Sequence, residues 1–227
     1  MVLNKNEGPD FRQRVVVDTL AMFWTKNPGF EFSSKVLEDF GEDGRPKTML
    51  VRMEPDARWS GISFSGGWEC YVLQGVLQDE ADGFPEGSYV RGPAGRPFTW
   101  STVEGCIFFL KTGHLEEDEQ EQAVVLTRET SWLPGLVEGL SVMPLSRSGT
   151  RNTALVRWDP GTRFVMHRHY GGEEILVIQG VFEDEHGRYG KGSWIQSPHL
   201  SQHTPFSDEG CVILVKTGHL PPGGHAR

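Results

Sequence analysis

The sequence predicts an all-β protein: two tandem barrels of the double-sheet jelly-roll kind. Three features carry that prediction. Residues 104–115, EGCIFFLKTGHL, return 105 positions later as EGCVILVKTGHL at 209–220. The apolar runs are short and rich in β-branched and aromatic residues. Turn signals built from Gly, Pro and Asp separate them in a chain that carries 28 glycines. Many short strands between tight turns mark an antiparallel sandwich or barrel.

The strand candidates, in order, are 14–18 (RVVVD), 49–53 (MLVRM), 71–73 (YVL), 154–158 (ALVRW) and 174–178 (EILVI). Turn signals fall at 42–44 (EDG), 54–56 (EPD), Gly66-Gly67, 81–83 (ADG), 159–161 (DPG), Gly171-Gly172 and His186-Gly187. Helical periodicity is weak; residues 18–23 and 32–40 could each hold a turn or two. The same offset aligns 65–69 with 170–174 and 72–76 with 177–181. The expected division is an N-terminal barrel over 1–115, an acidic linker over 116–122 and a C-terminal barrel over 123–227. Each copy also has a Trp followed by Pro-Gly, Trp24 with Pro28-Gly29 and Trp132 with Pro134-Gly135, read as core or inter-copy packing. Residues 1–11 and 221–227 are expected to be frayed or wrapped over a neighbour.

At 227 residues, 37% hydrophobic and 11% aromatic, the chain fits two globular units with real cores. No run approaches the roughly 18–20 apolar residues of a membrane helix. The polar start, 1–7, lacks the apolar core of a secretory signal, so a cytoplasmic protein is expected. A formal charge of −9 speaks against nucleic acid as a direct partner. Membrane binding is not expected either. The run EEDEQEQ at 116–122 reads as a solvated linker. Three cysteines and no CxxC pair exclude thioredoxin chemistry and cysteine-rich zinc modules. Cys106 and Cys211, which are repeat equivalents, read as small buried hydrophobes.

The repeat separates what the fold needs from what the chemistry needs. His167, His169, Glu173 and His203 fall opposite Ile62, Phe64, Trp68 and Phe98. On an extended strand His167 and His169 share a side. Gly171-Gly172 then turns the chain into Glu173, and His203 arrives from a separate hairpin. Three imidazoles and a carboxylate suit a single divalent transition metal: zinc, iron, nickel or manganese. Glu174 has a counterpart, Glu69, in the copy without the histidines, whereas Glu173 disappears together with them. Glu173 is therefore the expected ligand, and Glu174 an acceptor for backbone or Arg. The four apolar counterparts would fill the first barrel, each worth about 1.5–3 kcal/mol on burial. His114 and His219 match across the copies and read as structural or superficial. His199 reads as a surface residue or as support for a ligand.

The spacing Gly161-x5-His167-x-His169-x3-Glu173-x6-Gly180, followed by Gly192-x5-Pro198-x4-His203, is similar to the two cupin motifs. The wording HRHYGGEEILV, GVFEDEHG, GSW and EGC resembles the ChrR-type cupin, the C-terminal module of anti-sigma factors of the extracytoplasmic-function class. The resemblance implies two jelly-roll cupins, with metal ligands at His167, His169, Glu173 and His203. ChrR anti-sigma factors grip the sigma factor through a helical zinc-binding N-terminal domain. Residues 1–40 read instead as strand and loop, so the resemblance transfers the metal barrel and not that grip.

Two functional classes follow, and whether the protein is an enzyme stays open. One is a sensing module for a small molecule or oxidative stress in transcriptional control, with a protein partner. The other is a mononuclear Fe(II) dioxygenase acting on a β-diketone or hydroxyketone-like molecule. Its pocket walls are expected at Val165, Tyr170, Val177 and Trp194. A metal-stabilised barrel without catalysis is a third. A homodimer is expected if edge strands pair.

Overall fold

One long strand anchors each unit: Trp68–Gln78 in the first and Glu173–Asp184 in the second. Both are buried through the first half, where an apolar run follows one or two glutamates, and both are broken at a glycine. The computed structural model describes residues 11–39, 46–115 and 121–221, and among them there is no helix. No helix long and apolar enough to cross a membrane occurs among the described residues.

The larger sheet of the first unit runs Ala123–Leu126, Ser88–Gly92, Trp68–Gln78, Cys106–Thr112, Lys47–Met53, Phe32–Asp39, Thr25–Lys26. The second unit repeats that order with Val15–Asp18, Ser193–Ser197, Glu173–Asp184, Cys211–Thr217, Arg151–Trp158, Leu140–Ser148, Leu133–Pro134. All pairings are antiparallel, with a register shift at Ile107/Phe108 in one copy and at Val177/Gln179 in the other. Short strands close the opposite face of each barrel. Arg58–Ile62 pairs with Phe98–Ser101 in the first unit, as Thr162–Arg163 pairs with Phe206–Ser207 in the second.

The chain does not divide linearly at 115 and 123. One unit is centred on Met22–Thr130, and the second takes the segment ending at Ala21 together with Ser131 onward. Val15–Asp18 covers the edge of Ser193–Ser197, with Val15 opposite Gln196 and Val17 opposite Trp194. Ala123–Leu126, expected to open the second copy, instead covers the edge of Ser88–Gly92. An uncovered edge strand exposes a row of unpaired N–H and C=O groups. Each barrel is covered by the strand that precedes the other copy in sequence.

Residues 32–39 form a strand rather than helical turns, buried on both faces along most of its length. Trp24 and Trp132 are half-buried and sit beneath guanidinium groups rather than in a core. Arg52 lies 4.9 Å from the Trp24 ring centroid, and Arg157 lies 4.7 Å from that of Trp132. All three cysteines are free and buried, and burial pushes the Cys106 and Cys211 thiols up to about 11. The turn signal at 42–44, residues 116–120 of the linker, 1–10 and 222–227 lie outside the described residues.

Candidate metal centre

His167 stands directly opposite His203 where His167–Arg168 pairs with Gln202–His203. Ile62 stands opposite Phe98 in the same register in the first unit. The two pairings share that register, so the residue exchange read from the repeat falls at equivalent positions of the two barrels. Beyond His167 the backbone N–H of His169 donates to the Ser201 carbonyl at 2.9 Å. The chain then turns through Gly171 and Gly172, both with positive φ, of +76° and +69°. A Cβ on Gly171 would lie 2.6 Å from the Gly218 Cα, so only glycine lets the turn close against that loop. The turn delivers Glu173 to the first position of the central strand.

Three ring nitrogens, from His167, His169 and His203, form a group whose ligand atoms all lie within 4.8 Å of one another. The ring centroids make a near-equilateral triangle of 4.6, 4.8 and 4.9 Å. His169 Nε2 is 3.0 Å from His203 Nε2, and Glu173 Oε2 is 3.6 Å from each of them. Donors bound about 2.1 Å from a common ion sit roughly 3.0–3.4 Å apart. The spacing fits one ion. Glu173 and His203 are 6% and 4% exposed, so water does not solvate them freely.

The outer nitrogens fix the tautomers. His167 Nδ1 faces the Val165 carbonyl at 3.0 Å, an acceptor, so it must carry the proton. His203 Nδ1 faces the Asp184 carboxylate at 3.3 Å and donates likewise. Both Nε2 atoms therefore turn a lone pair inward, as metal-binding imidazoles do. Burial, with the neighbouring His203 and His167, pushes His169 down to about 3. Burial lowers His167 as well. Burial raises Glu173 to about 7 against the pull of His203 and Arg14. A neutral, lone-pair-rich cage suits a cation.

Asp184 was not singled out by sequence, because Asp79 occupies its place in the first copy. Its Oδ1 accepts from the His186 N–H, as Asp79 Oδ1 accepts from Ala81 and Asp82. That shared task is to hold a turn. In the second unit Asp184 also meets His203, the Tyr189 hydroxyl at 3.2 Å and Arg14 at 2.7 Å. Burial alone would raise its carboxyl, yet hydrogen bonds from His203 and Arg14 hold it well below the usual range.

Glu174 pairs with a histidine: His219 Nε2 is 3.2 Å away, as His114 Nε2 is 3.4 Å from Glu69. These matched pairs are buried and structural. His199 Nδ1 accepts from the Gly171 N–H at 2.8 Å and so supports the turn before Glu173.

A cavity of about 470 Å³ opens onto the cage, with Leu140, Val156, Trp158, Phe164, Phe182 and Ile213 among its walls. The expected walls are not these. Val165 and Tyr170 are 67% and 71% exposed. Val177 lies deeper in the core, and Trp194, opposite Leu176, faces away from Glu173. In the first unit Ile62, Phe64 and Phe98 pack on buried Trp59, Trp68 and Trp100. Trp68 and Phe98 ring centroids are 4.9 Å apart there.

Two jelly-roll barrels, one with an inward group of three imidazoles, define a bicupin. The chain belongs to the ChrR cupin-like domain family, whose profile matches residues 12–116 and 120–221. A stretch of 73 residues is 37% identical to the anti-sigma-E factor ChrR of Cereibacter sphaeroides, covering 31% of this chain and 34% of that protein. The match thus spans about a third of that relative. Solved structures share the fold at low identity. A protein from Nostoc punctiforme, described as a candidate dioxygenase, superposes with a TM-score of 0.77 at 15% identity, over 95% of this chain and 88% of that one. Escherichia coli Ylba gives 0.71 at 16%, over 94% of each chain. Bacillus subtilis oxalate decarboxylase gives 0.61 at 16%, over 93% and 78%.

Proposed function

We propose that the second barrel holds one divalent transition metal on His167, His169, Glu173 and His203, and turns over a small molecule admitted by the adjoining cavity. The observation that supports this most is the convergence, on a cavity of about 470 Å³, of three buried donors 3.0–3.6 Å apart, from His169, His203 and Glu173, with the half-buried His167 within 4.8 Å of the other two imidazoles. Bound in such a cage, the ion would supply Lewis acidity and a template for an oxygen-donor substrate. The reaction class this suits is oxygen-dependent cleavage of a β-diketone or hydroxyketone-like molecule. The protein's own share is positional. Asp184 and the Val165 carbonyl orient two imidazoles, while the apolar walls keep water off the reacting atoms. Glu173, raised to about 7, can carry a proton near neutral pH until metal displaces it.

Elemental analysis of untreated protein followed by an oxygen-electrode screen tests this. Oxygen uptake by the iron-loaded protein with a diketone panel supports it. Tight metal with no turnover on any oxygenated substrate contradicts the catalytic part.

The stretch 37% identical to an anti-sigma factor favours a second reading, in which the metal barrel senses a small molecule or oxidant and signals through a protein partner. Co-purification with a sigma factor would support it.

A further inference from the structure

Outside the cage donors, the lining of the second barrel's cavity is apolar apart from Thr217 and the Trp158 indole N–H, which is buried without a hydrogen-bond partner. Neither Lys nor Arg lines it. Arginines nearby are directed elsewhere: Arg14 to Asp184, Arg163 to Asp208 and Arg168 to Gln202. An anion entering the cavity would meet no cationic side chain among its lining residues.

The first barrel shows how the space arose. At the positions of Phe164, Pro205 and Ile213 it carries Trp59, Trp100 and Phe108, all three buried in the aromatic plug. The second barrel has a smaller apolar residue at each of the three, and all three line the cavity. At these three positions room comes from smaller apolar residues and not from polar ones; polar groups enter only at the four cage positions, while Trp158 and Phe182 are larger than their counterparts Met53 and Leu77. A cavity built to admit a small dicarboxylate would need donors on its wall, because a buried charge without a partner is costly. The mouth continues the pattern: Leu136, a lining residue, is 87% exposed.

We propose that the occupant of this cavity is an uncharged, hydrocarbon-rich small molecule that offers oxygen donors to the cage, and that small dianions are excluded. This rests on the metal-centre reading above for its donor end. The apolar end stands on the walls alone.

Zinc-loaded protein, which is redox-silent, would be titrated by calorimetry with acetohydroxamic, benzohydroxamic and 2-naphthohydroxamic acids, and with oxalate and malonate. The hydroxamic acids are uncharged in solution, share one oxygen donor pair that gives up a single proton on zinc, and differ in hydrocarbon. Affinity is expected to rise at least about ten-fold from methyl to phenyl and again towards naphthyl, since each buried CH₂ contributes about four-fold. The two dianions are expected to bind weakest. Oxalate or malonate binding as tightly as the naphthyl compound, or an affinity indifferent to hydrocarbon, would overturn the proposal. The same series on metal-stripped protein separates the two claims. A preserved hydrocarbon ranking with no gain from zinc supports the apolar cavity and contradicts the metal reading. Retained zinc with oxalate preferred does the reverse. Ile213→Phe, which installs the first barrel's residue, should cut naphthyl affinity at least about ten-fold at unchanged zinc content. Unchanged naphthyl affinity in a folded I213F protein would count against the proposal.

Discussion

Asp184 Oδ2 lies 3.3 Å from His203 Nδ1, and the same carboxylate takes Arg14 at 2.7 Å. In the first barrel Asp79 meets Gln122 Nε2 at 3.3 Å instead. Arg14 and Gln122 precede the two exchanged edge strands by one residue, so they are structural equivalents. A charged arm thus reaches the carboxylate only in the barrel whose carboxylate supports a candidate ligand. Asp184→Asn should lower zinc affinity about 10–100-fold, the usual scale for a group that orients a ligand. Arg14→Gln should weaken zinc less, because Asp184 keeps its contacts to His203 and Tyr189. Competition against a chromophoric chelator reads both.

The pH dependence has a defined sign. In the metal-free protein Glu173 is raised from 4.5 to about 7, so the folded state favours its protonated form. That contribution to stability is present below pH 4.5 and is lost as pH rises through about 7. His169 is lowered from 6.5 to about 3, so its contribution is present above 6.5 and is lost as pH falls towards 3. The two oppose each other between 4.5 and 6.5, and Glu173 alone acts just above. Glu173→Gln should therefore make the metal-free protein more stable at pH 8, by up to roughly 3 kcal/mol, while weakening metal binding. Urea melts at pH 8 and zinc titrations check the pair. In the wild type, zinc affinity should climb with pH to about 7, since binding must displace the Glu173 proton.

Trp68→Ala should destabilise the first unit by about 3–5 kcal/mol and leave zinc content unchanged. Trp68 is buried and stacks near Phe98 and Trp100, with ring centroids at 4.9 and 4.8 Å. Denaturant melts with parallel elemental analysis would show the separation.

Gly171→Ala should cost about 1–3 kcal/mol, because a side chain at φ +76° would press on the Gly218 backbone. Relief of that contact would displace Glu173 two residues on. Thermal melts and zinc affinity should both fall.

Much of this was legible in the sequence, and for a physical reason. A repeat whose two copies fill one barrel differently exposes its variable interior, so His167, His169, Glu173 and His203 stood out against Ile62, Phe64, Trp68 and Phe98. The same logic hid Asp184: a residue shared with Asp79 looks structural, and in part it is, since both cap a turn. Arg14 was hidden because the alignment slips by three residues before the first strand, which put Gln122 out of register with it. The exchange of edge strands leaves no mark in local composition, as Val15–Asp18 suits either edge equally. The cavity walls were missed because they come from Arg151–Trp158 and Cys211–Thr217, strands that are neighbours of the site in space and not in sequence.

Anomalous scattering at the zinc edge, from a crystal of zinc-loaded protein, asks the central question directly. One strong peak per chain is expected, within bonding distance of His167, His169 and His203 nitrogens and a Glu173 oxygen, with none in the aromatic-filled first barrel. No peak at those four side chains, or an equal one beside Trp68 and Phe98, would contradict it.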